Sequence, residues 1–364
     1  MNQFVAHDGI YMLSHSVGLP LVGGEQAAAS AFWHPWQRGD ADIWNHWLAE
    51  IAAFRQQLAV LLNTQMANIC PQTSLSSAVS KIVYSLPADP EKPVILLSEE
   101  DFPSIAFALK KTASLGYQLR FIAADTDTSD LTHWDQQMTA DVSMVLITHV
   151  QSNNGRQLPV QQITELARQK GILSLVDVAQ SAGIIPIDVH QWQADFVIGS
   201  SVKWIGGGPG AAFLWVDPEI IDQCQPNNVC WCSHENPFEF DIHHFRYAAD
   251  ALRFWGGTPS VYAYAVAANS LAHINAEGVD KIRDNNLVLS EMIIQAVPDS
   301  VLISPRLATQ RGGTLVLNFG PLQEQVVERL KASQVHFDTR AKGIRLSPHS
   351  CNAPVQIERV ISCF

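Results

Sequence analysis

The sequence predicts an α/β fold, a mostly parallel sheet between helices followed by a smaller α+β domain, on three observations. Short apolar runs alternate with helical segments from about residue 90 to 216. Hydrophobic residues make up 47% of 364, ample for a large core and long enough for a second domain. Past residue 256 the pattern mixes strands and helices without regular alternation.

The elements follow in order. Ile43 to Leu62 (IWNHWLAEIAAFRQQLAVLL) is a long amphipathic helix, and CPQTSLSS (70–77) leads into a helix running to about Tyr84. PVILLS (93–98), QLRFIAA (118–124), VSMVLIT (142–148), ILSLVD (172–177), DFVIGS (195–200) and AAFLWV (211–216) read as buried strands. Among the segments between them, PVQQITELARQKG opens with Pro159 and stops at Gly171, as a crossover helix does. Pro259 to Ile274 is a further helix, and GTLVLNFG (313–320) with a helix over 323–333 belongs to the smaller domain. Trp33, Trp36, Trp44 and Trp47 recur at helical spacing, which reads as core.

Composition narrows the function. The formal net charge is −12 with no Lys/Arg cluster, which argues against a nucleic-acid partner. No apolar run approaches a membrane span, and MNQFVAHDGI has no secretory character, so a cytoplasmic protein is expected. The six cysteines show neither a CxxC pair nor metal spacing, so no metal is expected. Cys230-Trp-Cys232 comes nearest, and on a strand both side chains would point the same way. It reads as structural or incidental rather than as a metal or redox site.

SSVKWIGGGPG, Ser200 to Gly210, sets one lysine in a neutral, apolar segment. A phosphate-binding P-loop is excluded, because its glycines precede the lysine and here they follow it. In open α/β sheets ligands bind at the carboxyl ends of the strands, where Asp177 and Ser200 fall. Lys203 lies one crossover and one strand beyond Asp177, so both side chains reach the same sheet edge. A desolvated lysine is a competent nucleophile and base, and a lysine with a distant acid suits the two ends of pyridoxal phosphate. Thr73-Ser74 at a helix start suits its phosphate. Taken singly, Asp177 also reads as a helix cap, Ser200 as a strand-end residue, Phe102 as core and Arg345 as a surface ion-pair partner.

These residues carry a resemblance. DVAQSAGIIPIDVHQWQADFVIGSSVKWIGGGPGAAFLWV resembles the core of the class V aminotransferase superfamily, the fold-type-I pyridoxal-phosphate enzymes, and within it the chain is most similar to kynureninases. YMLSHSVGLP, DFPS (101–104), CWCSHE (230–235) and DTRAKGIRLSP (338–348) resemble kynureninase segments in the same order.

The resemblance implies a seven-stranded, mostly parallel sheet, with an N-terminal arm (1–20), a large cofactor domain (21–255) and a small C-terminal domain (256–364). It implies that Lys203 holds pyridoxal 5'-phosphate covalently and carries the Cα proton, with Asp177 on the pyridine nitrogen. Gln180 would meet the phenolic oxygen, Phe102 would stack on the ring, and Thr73, Ser74 and Ser200 would hold the phosphate. Thr258 would reach that phosphate from the other subunit of a homodimer. Arg345 would clamp the carboxylate of a small amino-acid substrate, with Ser16, Trp231 and His234 lining that side.

Three positions depart from kynureninases: Val202 stands for a tyrosine, Gln180 for a histidine and Thr258 near an asparagine. The expected reaction is kynureninase-like hydrolysis of a Cβ–Cγ bond, with transamination as the alternative and a cofactor-binding protein without turnover as a third reading. A cysteine desulfurase needs its nucleophilic cysteine before the carboxylate-binding arginine. Cys351 follows Arg345, so it reads as a small buried hydrophobe. No GxGxxG follows an early strand, which leaves a nicotinamide oxidoreductase without support.

Overall fold

A computed structural model describes residues 3–364. The strands are β1 (Ile10–Tyr11), β2 (Ile69–Gln72), β3 (Val94–Ser98), β4 (Gln118–Ile122), β5 (Val142–Thr148) and β6 (Leu173–Asp177). They continue with β7 (Phe196–Ser200), β8 (Ala212–Val216), β9 (Leu315–Leu317), β10 (Val335–His336), β11 (Asp338–Arg340) and β12 (Gly343–Leu346). Seven of them form the central sheet in the order β2-β8-β7-β6-β5-β3-β4. Only β8 runs against the others, pairing antiparallel with β7 and β2. All six apolar runs are strands of this sheet, and five are buried, as a sheet covered by helices on both faces demands; β4, at the sheet edge, is buried only at Ile122, against the expectation.

Parallel pairing puts the carboxyl ends of β3, β5, β6 and β7 on one edge, bringing Ser98, Thr148, Asp177 and Ser200 together. β2 ends on that edge too, beside the start of β8. The helix Leu75–Ser85 begins there, capped by the Ser74 hydroxyl, which accepts the Ser77 N–H at 3.2 Å.

Two hydrophobic cores are present. The larger one surrounds the central sheet and includes Val261, Tyr264, Ala267, Leu271 and Ile274 of the helix Val261–Glu277, which packs along the helix Ile43–Leu61. The smaller one gathers Leu289, Ile293, Leu315, Leu317, Leu330, Ile344, Leu346 and Val360 with Ile10 and Met12 of the arm. The two cores therefore divide within the helix Val279–Gln295, between Ile282 and Leu289, rather than at the expected residue 256. The arm is bound to the small domain through the parallel pair β1–β10.

Two local expectations fail. Trp33, Trp36 and Trp44 are exposed and Trp47 is half-buried. The segment is not one helix: a π-helical turn (Ala29–Trp33) and a short helix (His34–Arg38) end at Gly39, and the next helix buries nothing fully before Ile51. Its rings stack on one another instead, Trp33 on Trp36 with centroids 5.3 Å apart and Phe32 on Trp47 at 5.1 Å. Cys230 and Cys232 lie at a 3₁₀ turn, Trp231–Ser233, not on a strand, and both are free thiols.

Candidate active site

At the carboxyl edge of the sheet the chain encloses a cavity of about 330 Å³, within the range of small-ligand sites. Lys203, Asp177, Gln180, Ser200, Phe102, Ser74, Ser16 and Arg345 all line it, so eight of the residues expected from sequence meet there. Thr73 is exposed and outside it. Thr258, Trp231 and His234 also lie apart from this chain's cavity. The Trp231 indole N–H donates to the Thr258 hydroxyl at 3.3 Å, and the His234 ring is held by backbone carbonyls of Asn236 and His244.

Lys203 follows β7 in the turn that leads to β8. Burial pushes its amine pKa down; Asp177 pulls it back up, and the Arg345 and Arg340 guanidiniums lower it further. Its Nζ lies 5.7 Å from the centre of the Phe102 ring. Asp177 ends β6 fully buried, and burial raises its pKa, opposed by the Ala179 N–H donated to Oδ1 at 2.8 Å and by Lys203.

Of the glycines after Lys203, Gly206 serves the arm. Gly18 donates its N–H to Val202 O at 2.8 Å, and a Cβ at Gly18 would lie 2.1 Å from Lys203 O. Gly206, at φ +67°, has room for a Cβ only 2.7 Å from Leu19 O. Arm and lysine turn are in backbone contact, which no side chain at these positions would allow.

Arg345 on β12 is buried, and one edge of its guanidinium is taken. Nε donates to Asp338 Oδ1 at 2.7 Å, Nη2 bonds Oδ2 of the same carboxylate, and Nη1 donates to Ser152 O at 3.2 Å. His15 from the arm bonds Asp338 Oδ1 through Nε2 at 3.1 Å and Ser347 Oγ through Nδ1 at 2.8 Å. Burial opposes ionisation of Asp338, but the hydrogen bonds from His15 and Arg345 prevail and hold it well below the usual carboxylate range. Burial lowers the His15 pKa, with Asp338 opposing. The Asp338 pairing orients Arg345 and, with the Ser152 bond, leaves one unpaired N–H on each of Nη1 and Nη2.

Sequence reasoning missed several lining residues: His15, Ser76, Ser104, Thr148, Ser152 and Arg340. Thr148 carried a signal, since it ends a strand on the same edge as Asp177. His15 and Arg340 stood inside quoted segments, and nothing local marks them as lining.

The cavity suits pyridoxal phosphate. Gln180 gives one amide N–H to His15 O at 3.1 Å, while its buried Oε1 has no protein partner. The hydroxyls of Ser74, Ser76 and Ser200 gather near the start of the helix Leu75–Ser85, as a phosphate requires. Phe102 and Ala179 offer apolar contacts for a flat ring, and Asp177 offers a buried acid. When bound, the cofactor is an electron sink that acidifies the Cα–H of an amino acid.

Comparison with known proteins agrees. The class-V aminotransferase family matches residues 36–355. An uncharacterized aminotransferase of Bacillus subtilis, YcbU, is 29% identical over 87% of this chain and 84% of its own length. A kynureninase of Pseudomonas fluorescens is 26% identical over 85% and 77%. Among solved structures, the cystine C–S lyase C-DES with its product cysteine persulfide superposes with a TM-score of 0.87 at 19% identity, covering 98% of this chain and 97% of its own. A cysteine desulfurase of Thermococcus onnurineus gives 0.85 at 19%, over 98% and 93%. With the fold, the lysine–aspartate pair and the family match in agreement, the chain belongs to the class-V aminotransferases, fold-type-I enzymes whose cofactor is pyridoxal 5'-phosphate.

Proposed function

We propose that this enzyme transfers the amino group of a small α-amino acid, with Lys203 Nζ taking the proton from Cα and passing it to the bound cofactor. One observation carries the reading: Lys203 is the only free amine in the lining, which holds no tyrosine and no cysteine. His15 is buried with both ring nitrogens bonded, and Asp177 faces the cofactor's ring nitrogen in this reading. A single base that relays one proton from the substrate to the cofactor is what amino transfer needs. Arg345 receives the α-carboxylate at its free end, and Phe102, Gln180, Ser74 and Ser200 hold the cofactor.

Kynureninase-like hydrolysis of a Cβ–Cγ bond is the second reading. It is supported by the ordered sequence segments and by relatives named kynureninase that match up to 95% of this chain. It asks the site to activate a water and protonate a departing carbon with no further acid in the lining. In both readings the exposed Thr258, with Trp231 and His234 beside it, serves the neighbouring subunit of a homodimer. No helix among the described residues is long and apolar enough to cross a membrane, and a cytoplasmic site of action remains part of the proposal.

The test is one experiment on the cofactor-loaded enzyme. Amino acids are offered with a 2-oxo acid while new amino acid is quantified, and L-kynurenine is offered while anthranilate and alanine are followed. Amino transfer that disappears in Lys203→Ala supports the first reading. Joint release of anthranilate and alanine overturns it in favour of hydrolysis, and full cofactor loading without any product indicates a binding protein.

A further inference from the structure

Arg340 lines the cavity beside Arg345 and Lys203, and neither the cofactor nor the α-carboxylate of a substrate requires it. Alternate residues of a strand share a face, so Asp338 and Arg340 of β11 project the same way. The register with β12 sets Asp338 opposite Arg345 and Arg340 opposite Gly343. No cross-strand side chain therefore covers the Arg340 guanidinium. That gap is built in, because a Cβ at Gly343 would lie 2.1 Å from Leu317 O.

The nearest acid to Arg340 is Asp338, 4.0 Å from Nε, and both its oxygens already serve Arg345 and His15. The Arg340 side chain stays about half exposed (53%), and its charge is felt at Lys203. Of the three cations of the lining, Lys203 is the attachment point of the cofactor and Arg345 is paired with Asp338, which leaves Arg340 with only that shared carboxylate at 4.0 Å.

The rest of the lining mixes hydroxyls with the apolar side chains of Leu75, Ile105, Val150 and Val202. Phe102 is its only Phe, Tyr or Trp, and Ser16, Ser104 and Ser152 supply hydroxyls. About 330 Å³ must hold cofactor and substrate together.

We propose that Arg340 receives a second anionic group, so that the substrate is a short α-amino acid with an acidic side chain. This rests on reading the cavity as the amino-acid site. Arg345 takes the α-carboxylate, Arg340 takes the distal one, and the second guanidinium favours a dicarboxylate over its uncharged amide.

The test compares L-aspartate with L-asparagine and L-glutamate with L-glutamine on the cofactor-loaded enzyme. It also measures binding of succinate and of propionate by calorimetry, and cofactor affinity by absorbance. The expected result is a preference of at least about tenfold in kcat/KM for one acid over its amide, with succinate bound more tightly than propionate. In R340Q both preferences fall about tenfold or more, as loss of a charge-assisted contact requires, and cofactor affinity is retained. Equal use of acid and amide by the unaltered enzyme overturns the proposal, as does an unchanged ratio in R340Q. Weaker cofactor binding in R340Q also overturns it, by placing Arg340 on the phosphate. Failure of the underlying reading looks different: no amino acid is used, and none alters the cofactor spectrum.

Discussion

Asp101 tests whether the electrostatics of the sheet edge are correctly understood. It follows β3, immediately before Phe102, with its side chain buried. Oδ2 accepts the Ser98 N–H at 2.8 Å. Burial, reinforced by repulsion from Asp177 and Glu100 and opposed by the Thr148 hydroxyl and Ser98 N–H, pushes its pKa from 3.8 up to about 7. The folded protein therefore holds a proton that the unfolded chain has lost. The stability this contributes is full below about pH 4 and disappears as pH rises through 7. At about 1.4 kcal/mol per pH unit, ionising this buried carboxyl costs the fold on the order of 4 kcal/mol above pH 7.

Asp101→Asn keeps an oxygen for Ser98 and offers an N–H to Thr148 but cannot ionise. The variant is expected to gain up to about 4 kcal/mol over the parent at pH 8.5 and only about 1 kcal/mol at pH 4.5. Urea denaturation of the cofactor-loaded proteins at the two pH values reads this directly. A difference between variant and parent that does not change with pH refutes the reasoning.

Two further outcomes follow from the site. Asp338→Asn replaces the carboxylate that grips Arg345, turning one of two charge-assisted contacts into an N–H facing an N–H. KM for the amino acid is expected to rise about tenfold, with a loss of stability of about 1–3 kcal/mol, and steady-state kinetics with a melting curve check both. Cys351→Ala is expected to leave turnover intact, because the thiol lies outside the cavity and burial pushes its pKa up to about 12, keeping it protonated. A fall in kcat of about tenfold or more would reinstate a thiol mechanism.

Much of this molecule is legible in its sequence for an identifiable reason. Strands covered on both faces must be apolar throughout, so VSMVLIT and DFVIGS announce themselves, and the polar residues that close them mark the ligand edge. Lys203 is conspicuous because a charge inside such a segment needs a purpose. The tryptophans misled because periodicity reports a helix face without saying what the face meets. Here the helix runs ahead of the core, and its first turns carry aromatic rings on the surface. His15 was illegible as a lining residue because its role depends on partners far along the chain, and Arg340 because only the fold brings its hairpin to Lys203. His15 meets Ser347 and Asp338 across more than 320 residues.

The arm's position has a consequence for biosynthesis. Met12, His15 and Gly18 are made more than 300 residues before the last hairpin, yet two of them bond it, through Ser347 N–H to Met12 O and His15 to Asp338. At translation rates of about 5–20 residues per second, the arm waits roughly 15–65 s for β11 and β12 to be made. Until then the large domain can fold around its sheet, but Arg345 has no Asp338–His15 frame and Gly18 rests on a lysine turn with nothing beyond it. The nascent chain thus assembles the Lys203–Asp177 side of the cavity before the Arg345 side, and a ribosome stalled near residue 330 would carry the central sheet without the hairpin that completes the lining.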